Sequence, residues 1–299
     1  MANEELSIIA GPSSFELAGK TASHLKSEVI TVNTEIFPDG ECKIRMPNVK
    51  GKYCVVIQSL YPPTDRNLMQ ALMIIKKCKD DDADYICSVA PYMAYARQDR
   101  AFLEDEFPTI SLVAKLFESV GTNRIITLDI HSLKALSYFG IEAKNMTSIP
   151  LFADYVKSSM HLHKPLAVSP DAGGKERTAE FSKILGIEYL ILEKFRNKYS
   201  GEVLIDDKSI PDIADGRDII ILDDIISTGS SIAKATELLR KKSGKIYVMC
   251  SHSLINENNI QKIFDAGVEN IITTNSIPNR FAKIDISPAL ASCIRKGIY

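Results

Sequence analysis

The chain has 299 residues, 45% hydrophobic and 25% charged, enough to bury a sizeable core as two domains of about 150 residues each. A net charge of −2 and a pI near 6.2 exclude the basic field that nucleic acid demands. No apolar run reaches the roughly 18 residues of a membrane span, and Met1-Ala2-Asn3-Glu4-Glu5 has neither the basic start nor the apolar core of a signal peptide. Six cysteines without CxxC spacing argue against zinc and against a disulfide framework, so a cytoplasmic chain with free thiols is expected.

In chain order the residue patterns predict strand Leu6–Ala10, strand Val29–Phe37, strand Tyr53–Gln58, helix Asn67–Lys79, strand Tyr85–Ala90, helix Thr109–Val120 and strand Ile125–Leu128. Then follow strand Leu166–Ser169, helix Lys175–Leu185, strand Tyr189–Leu192, strand Ile219–Leu222, helix Ile232–Lys242, strand Lys245–Cys250, helix Asn256–Ala266 and strand Ile271–Thr274. In helix 232–242, Ile232, Ala235 and Leu238/Leu239 recur at helical spacing, Arg240, Lys241 and Lys242 suit the last turn, and Gly244 is the expected C-cap. Alternation of strands and helices implies α/β architecture, with parallel sheets covered on both faces. The pattern runs twice, so domains are expected at 1–147 and 148–279, with the tail 280–299 a candidate to join the first.

The most informative segment is 218–231. A buried-strand run ends in Asp223 and Asp224, whose carboxylates can accept hydrogen bonds from vicinal hydroxyls. Ser227, Thr228, Gly229, Ser230 and Ser231 follow, directly before a helix. Backbone N–H groups and hydroxyls at a helix N-terminus suit a phosphate, and Gly229 permits close approach. Other loops sit where strands end, the edge at which ligands bind in open α/β sheets. Pro170-Asp171-Ala172-Gly173-Gly174-Lys175 offers backbone amides for phosphate and Asp171 for a hard cation. Asp129 and His131 follow strand 125–128, and Tyr95-Ala96-Arg97-Gln98-Asp99-Arg100 lies beyond strand 85–90. Residues 193–201 place cations at Lys194, Arg196 and Lys198, a composition for a mobile lid over a polyphosphate. Phe37-Pro38-Asp39-Gly40-Glu41 has the Asp-Gly signal of a hairpin turn, and Phe37 beside two acids suits a stacked base. Taken singly, several of these segments are ordinary turns or solvated loops; their clustering at one sheet edge is what points to function.

Segment 218–231 resembles the ribose-phosphate signature of phosphoribosyltransferase-type folds. Together with Phe37–Glu41, Tyr95–Arg100, Asp129-Ile130-His131-Ser132, Ser169–Gly174 and Lys194-Phe195-Arg196, in that order and spacing, nearly the whole chain resembles the ribose-phosphate pyrophosphokinase (phosphoribosyl pyrophosphate synthetase) family, and its archaeal members most. The resemblance implies two similar phosphoribosyltransferase-like domains, each a mainly parallel sheet flanked by helices. It implies transfer of the diphosphoryl group of Mg-ATP to O1 of ribose 5-phosphate with release of AMP, feeding nucleotide and histidine biosynthesis. By position, Asp39, Gly40 and Glu41 would contact ATP from a neighbouring subunit of a homo-oligomer, dimer or hexamer, with Phe37 near the adenine. Arg97 and Gln98 would bind ATP from the other side, and His131 and Asp171 would serve Mg²⁺. Lys194 and Arg196 would form the catalytic loop, Arg196 also reaching ribose 5-phosphate. Asp223, Asp224 and residues 227–231 would hold the sugar. Ala101 departs from a common Lys or Arg, Ala172 from a frequent His, and Ser230-Ser231 from the usual Gly-Thr, which removes glycine's backbone freedom at 230. The competing enzyme class is a phosphoribosyltransferase, which consumes the activated sugar; the competing non-enzyme is a silent regulatory homologue.

Overall fold

The structure, a computed structural model, describes residues 6–101, 103–192, 194–196, 203–205 and 212–298. It divides into two compact units: Met1–Thr147 with Ser276–Pro278 and Asp285–Tyr299, and Ser148–Asn275 with Asn279–Ile284.

The first unit runs β1 (Leu6–Ala10), α1 (Phe15–Leu25), β2 (Glu28–Thr31), β3 (Asn33–Ile36), β4 (Cys42–Arg45), β5 (Tyr53–Ile57), α2 (Thr64–Asp80), β6 (Tyr85–Ala90), α3 (Thr109–Ser119), β7 (Arg124–Leu128) and β8 (Glu142–Met146). Six strands form a parallel sheet in the order β2-β1-β5-β6-β7-β8. The second unit runs α4 (Ile149–Ser159), β9 (Leu166–Ser169), α5 (Lys175–Leu185), β10 (Glu188–Ile191), β11 (Lys194–Arg196), β12 (Val203–Ile205), β13 (Ile219–Ile226), α6 (Ser230–Leu239), β14 (Ile246–Ser253), α7 (Glu257–Ala266), β15 (Val268–Thr274) and β16 (Ala282–Ile284). Its parallel sheet has the order β10-β9-β13-β14-β15-β16. The C-terminal helix α8 (Ser287–Ile298) belongs to the first unit, where Arg295 donates to the His24 carbonyl at 3.1 Å. The tail is therefore divided: β16 completes the second sheet, and α8 packs in the first unit.

Both sheets repeat one scheme. The second strand lies outside the first, and the next sheet strand pairs with the first on its other side. An antiparallel hairpin, β3–β4 in one unit and β11–β12 in the other, is inserted between them. Each sheet thus has a topological switch point, between β1 and β5 and between β9 and β13, where the carboxyl ends of α/β strands open a crevice.

Period-two alternation builds the second unit's core. Ile219 and Ile221 of β13 join Leu166, Val168 and Val248 under Ile232, Ala235 and Leu239 of α6 and Ile263 of α7. Ile220 and Leu222 face the other way, into Phe152 of α4 and Phe181 of α5. Apolar side chains fill both faces, so β13 reads as an unbroken apolar run in sequence.

Several boundaries differ from the sequence reading. The stretch 29–37 is two strands, because the chain leaves the main sheet after Thr31 and starts the separate hairpin at Asn33. β13 continues through both aspartates to Ile226. Helix α6 ends at Leu239, before the three cations. Gly244 caps no helix: its N–H donates to the Arg217 carbonyl at 2.8 Å, and a Cβ there would stand 2.6 Å from Asp218 Oδ1. Phe181 is fully buried under the sheet. Phe181→Ala is expected to destabilise the second unit by about 3–5 kcal/mol, read from denaturant unfolding with a domain-resolved probe; a loss under about 1 kcal/mol would contradict this packing.

Candidate active site

The switch point of the second unit gathers the acidic groups. Strand β9 ends at Ser169, and Asp171 follows with extended backbone. Its Oδ1 accepts from Gly173 N–H at 3.0 Å, while Ser169 Oγ donates to the Asp171 carbonyl at 2.7 Å. Gly174 then starts α5 against this turn; a Cβ at 174 would stand 2.3 Å from Ser169 Oγ. Close approach of helix to strand therefore requires glycine there.

On the neighbouring strand, alternation puts Asp224 on the α5 side with Ile220 and Leu222. Arg177, in the first turn of α5, donates through Nη1 to Asp224 Oδ1 at 2.8 Å and to Asp223 Oδ1 at 3.3 Å. The Asp224 side chain is 5% exposed, and those of Asp223 and Arg177 are each 21% exposed. Asp223 also accepts the N–H of Asp224 at 2.9 Å. Its position deep in the crevice, and then the adjacent Asp224 charge, push the Asp223 carboxyl well above the usual carboxylate range; Arg177 pulls the other way.

Beyond Ile226 the chain turns through 227–229 into α6. Gly229 has φ +72°, and a Cβ there would meet Ile263 Cδ1 at 2.7 Å, so both backbone and packing require glycine. Gly229, at the N-cap, has no side chain to offer; Thr228 Oγ1 accepts from the Ser230 N–H at 3.4 Å and donates to Ser230 Oγ at 3.2 Å. Ser230 occupies the first helical position and is absent from the positive-φ residues, so its lack of glycine's freedom costs nothing. Two acceptor carboxylates followed by a hydroxyl-rich turn at a helix N-terminus are suited to a polyol that carries an anion.

Lys194-Phe195-Arg196 forms strand β11, not a loop; Lys194 is in register with Ile205 and Arg196 with Val203. Residues 193 and 197–202, which include Lys198, lie outside the described residues.

The first unit places its candidates differently. Phe37 to Glu41 form the tip of the β3–β4 hairpin: Gly40 N–H donates to the Phe37 carbonyl and Phe37 N–H to the Glu41 carbonyl, both at 2.9 Å. Gly40 has φ +93°, and Asp39 Oδ1 accepts from Glu41 N–H at 3.1 Å. Phe37 is exposed. Arg97 and Gln98 are exposed on the loop after β6, and Thr109 Oγ1 donates to Gln98 Oε1. Tyr95 in this loop has φ +63°, and its hydroxyl donates to Asp65. That bond is the main reason its phenol is pushed up to about 12. Helix α2 ties the two segments together: Asp65 holds Tyr95, and Gln70 Nε2 contacts Cys42 Sγ of β4 at 3.5 Å. His131 is exposed after β7, and its neighbour Ser132 donates to Asp99 at 2.6 Å. His131 and Asp171 thus lie in different units, and no group of three or more metal-ligating side chains exists among the described residues. Asp171 nevertheless fits Mg²⁺, a hard cation that keeps several waters and takes one or two carboxylates beside substrate phosphates.

The switch point of the first unit is filled by its own side chains. Ser13 N–H donates to Gln58 Oε1 at 3.1 Å, Ser13 Oγ to the Ser59 carbonyl at 2.6 Å, and Ser59 N–H to Ser14 Oγ at 2.8 Å. A Cβ on Gly11 would stand 2.2 Å from Gln58 Oε1. Sequence reading passed over this network and Arg177. A signal for Arg177 was available: a cation in a first helical turn opposes the helix dipole and needs a local partner.

These features define the phosphoribosyltransferase-like fold, used twice. Residues 6–121 match the model of the N-terminal domain of ribose phosphate pyrophosphokinase, and residues 208–298 that of the phosphoribosyl synthetase-associated domain. The chain is 35% identical to the ribose-phosphate pyrophosphokinase of Sulfurisphaera tokodaii over 95% of its length and 98% of that protein's. It is 35% identical to the enzyme of Methanothermobacter thermautotrophicus, covering 96% of this chain and 99% of that one. Phosphoribosylpyrophosphate synthetase from Mycobacterium smegmatis superposes with a TM-score of 0.87 at 26% identity, covering 98% and 99% of the two chains. The chain belongs to the ribose-phosphate pyrophosphokinase family and is an enzyme of that class.

A carboxyl raised in the folded state binds a proton that the unfolded chain has released, so its contribution to stability is lost as pH rises from about 4 through the folded pKa. Asp223→Asn removes that loss. The unliganded variant is expected to melt about 2–4 °C above wild type at pH 8, with the gap closing toward pH 4. An equal or lower melting temperature at pH 8 would contradict the repulsion described for the pair.

Proposed function

We propose that the chain transfers the diphosphoryl group of Mg-ATP to O1 of ribose 5-phosphate, releasing AMP, with the sugar phosphate in the second unit's crevice. The observation that carries this reading is the pairing of Asp223 and Asp224, at the end of β13, with the hydroxyl-rich turn that enters α6 through Gly229. Asp223 and Asp224 accept hydrogen bonds from the ribose diol. Backbone N–H groups and hydroxyls of Ser227, Thr228, Gly229, Ser230 and Ser231 take the 5-phosphate. Held at both ends, the sugar presents O1 in one direction.

ATP is assigned to the first unit's loops. Phe37 stacks on adenine; Asp39, Gly40 and Glu41 contact the nucleotide of a neighbouring subunit in a homo-oligomer; Arg97 and Gln98 bind it from the other side. The O1 hydroxyl attacks the β-phosphorus as the bond to the AMP oxygen breaks, and the hydroxyl proton passes to solvent water. The attacking hydroxyl is neutral and the phosphate chain it attacks is strongly anionic, so positioning and charge neutralisation set the rate. Holding the reactants in line contributes about 7–11 kcal/mol. Lys194 and Arg196 offset the charge that develops on the transferred group. Asp171 would hold Mg²⁺ through its carboxylate oxygens, with His131 the weaker nitrogen-donor candidate, and the ion would supply electrostatic stabilisation of phosphate oxygens. Six cysteines, all free, fit a cytoplasmic enzyme that feeds nucleotide and histidine biosynthesis.

Incubation with Mg-ATP and ribose 5-phosphate is expected to release AMP and 5-phosphoribosyl 1-diphosphate in equal amounts; no AMP from the oligomeric protein would overturn the reading. Lys194→Ala is expected to lower kcat by about 10²-fold or more with KM for ribose 5-phosphate nearly unchanged, since the lysine acts on the transition state. Comparable changes in both parameters would remove it from that role.

A further inference from the structure

We infer that Arg177 is a positioning residue for the acceptor sugar: it is the counter-charge that holds Asp223 and Asp224 side by side as hydrogen-bond acceptors for the diol. The inference rests on the function proposed above and adds a residue to its site.

Arg177 sits in the first turn of α5, where a cation faces the positive end of the helix dipole. Glu176 in the same turn is the residue type that this position favours. The location of Arg177 therefore opposes local helix preference and is satisfied by a tertiary partner. That partner is the acid pair, reached through one nitrogen, at 2.8 Å from Asp224 Oδ1 and 3.3 Å from Asp223 Oδ1. Three features of the fold fix the reach. Gly174 lets α5 begin in contact with Ser169 at the end of β9. Thr178 Oγ1 donates to the Gly174 carbonyl at 2.9 Å, which pins the first turn. Phe181 anchors the next turn beneath the sheet. The guanidinium is thus carried on a rigid element, as a binding constellation requires.

Its chemical effect follows from the pair it bridges. Adjacent carboxylates on one strand, one of them almost fully buried, do not stay ionised together without a nearby cation. A protonated member keeps one carbonyl acceptor but loses its charge, so the charge-assisted hydrogen bonds from the diol are weakened. Arg177 opposes burial and mutual repulsion by drawing the pair toward its charged form from the helix side, and it leaves acceptor capacity for the sugar. A guanidinium is suited to this bridging because its charge is delocalised and permanent.

The test compares Arg177→Gln, Arg177→Lys and Arg177→Gln/Asp223→Asn with wild type, by calorimetric titration of ribose 5-phosphate and by AMP-release kinetics. Arg177→Gln is expected to raise Kd and KM for ribose 5-phosphate about tenfold or more while KM for ATP and saturated kcat stay within about threefold; Arg177→Lys recovers most of the affinity. An Arg177→Gln protein that melts like wild type and binds ribose 5-phosphate equally well would overturn the inference. Equal losses in kcat and in both KM values would overturn it too. Melting of the unliganded proteins gives an independent arm: Arg177→Gln melts below wild type, and adding Asp223→Asn restores the loss. A double variant as unstable as Arg177→Gln would refute the counter-charge even if the single variant failed to fold for assay. Failure of wild type itself to bind ribose 5-phosphate would instead overturn the proposed function, and the melting comparison would still decide the role of Arg177.

Discussion

Two carboxylates side by side on one strand repel each other, and the second unit is organised around containing that repulsion. The strand that carries them is buried on both faces, so the acids cannot turn away to water without breaking the sheet. One helix supplies the compensating cation, and it gets close enough because Gly174 has no side chain. The other helix, α6, begins at Gly229 in a hydroxyl-rich turn a few residues beyond the acids. Negative acceptors and a positive helix end lie within a few residues of one another, the complement of a sugar that is neutral at one end and anionic at the other.

The two units show what changes when one backbone scheme takes two jobs. Strand order and hairpin insertion are the same in both. At the first switch point Ser13, Ser14, Gln58 and Ser59 satisfy one another, and the crevice is occupied by protein. At the second, Asp171, Asp223 and Asp224 bring concentrated negative charge with Arg177 beside it. The first unit's functional candidates lie instead on the hairpin tip and on the loop after β6, both tied to α2. Topology sets where a site can form, and side chains at the strand ends decide whether one does.

Much of this was legible in the sequence. Runs such as Ile219 to Leu222, bounded by polar turns, identify buried strands, and a hydroxyl-rich turn before a helix marks a candidate anion site whatever the tertiary packing. The strand through Asp223 and Asp224 to Ile226 was cut short because paired acids read as a strand end; sheet hydrogen bonds to β14 carry it further. Residues 29–37 read as one strand because nothing local marks Val32 as the point where the chain changes sheets. Helices α1, α4 and α8 went unread although none is shorter than α6 or α7, and Gly244 is explained by Arg217 and Asp218, distant in sequence. Arg177 could be marked in the sequence only as a cation set against a helix dipole; its partners are more than forty residues away, and only tertiary structure names them.

The central claim is that the sugar phosphate binds at the aspartate pair of the second unit and not at the filled crevice of the first. Titration of ribose 5-phosphate into wild type and into Asp223→Asn/Asp224→Asn, followed by heat, tests it most directly. One site per chain in wild type, lost in the double variant while melting shows it folded, is the predicted result. Two sites per chain, or one site that survives the double substitution, would contradict it.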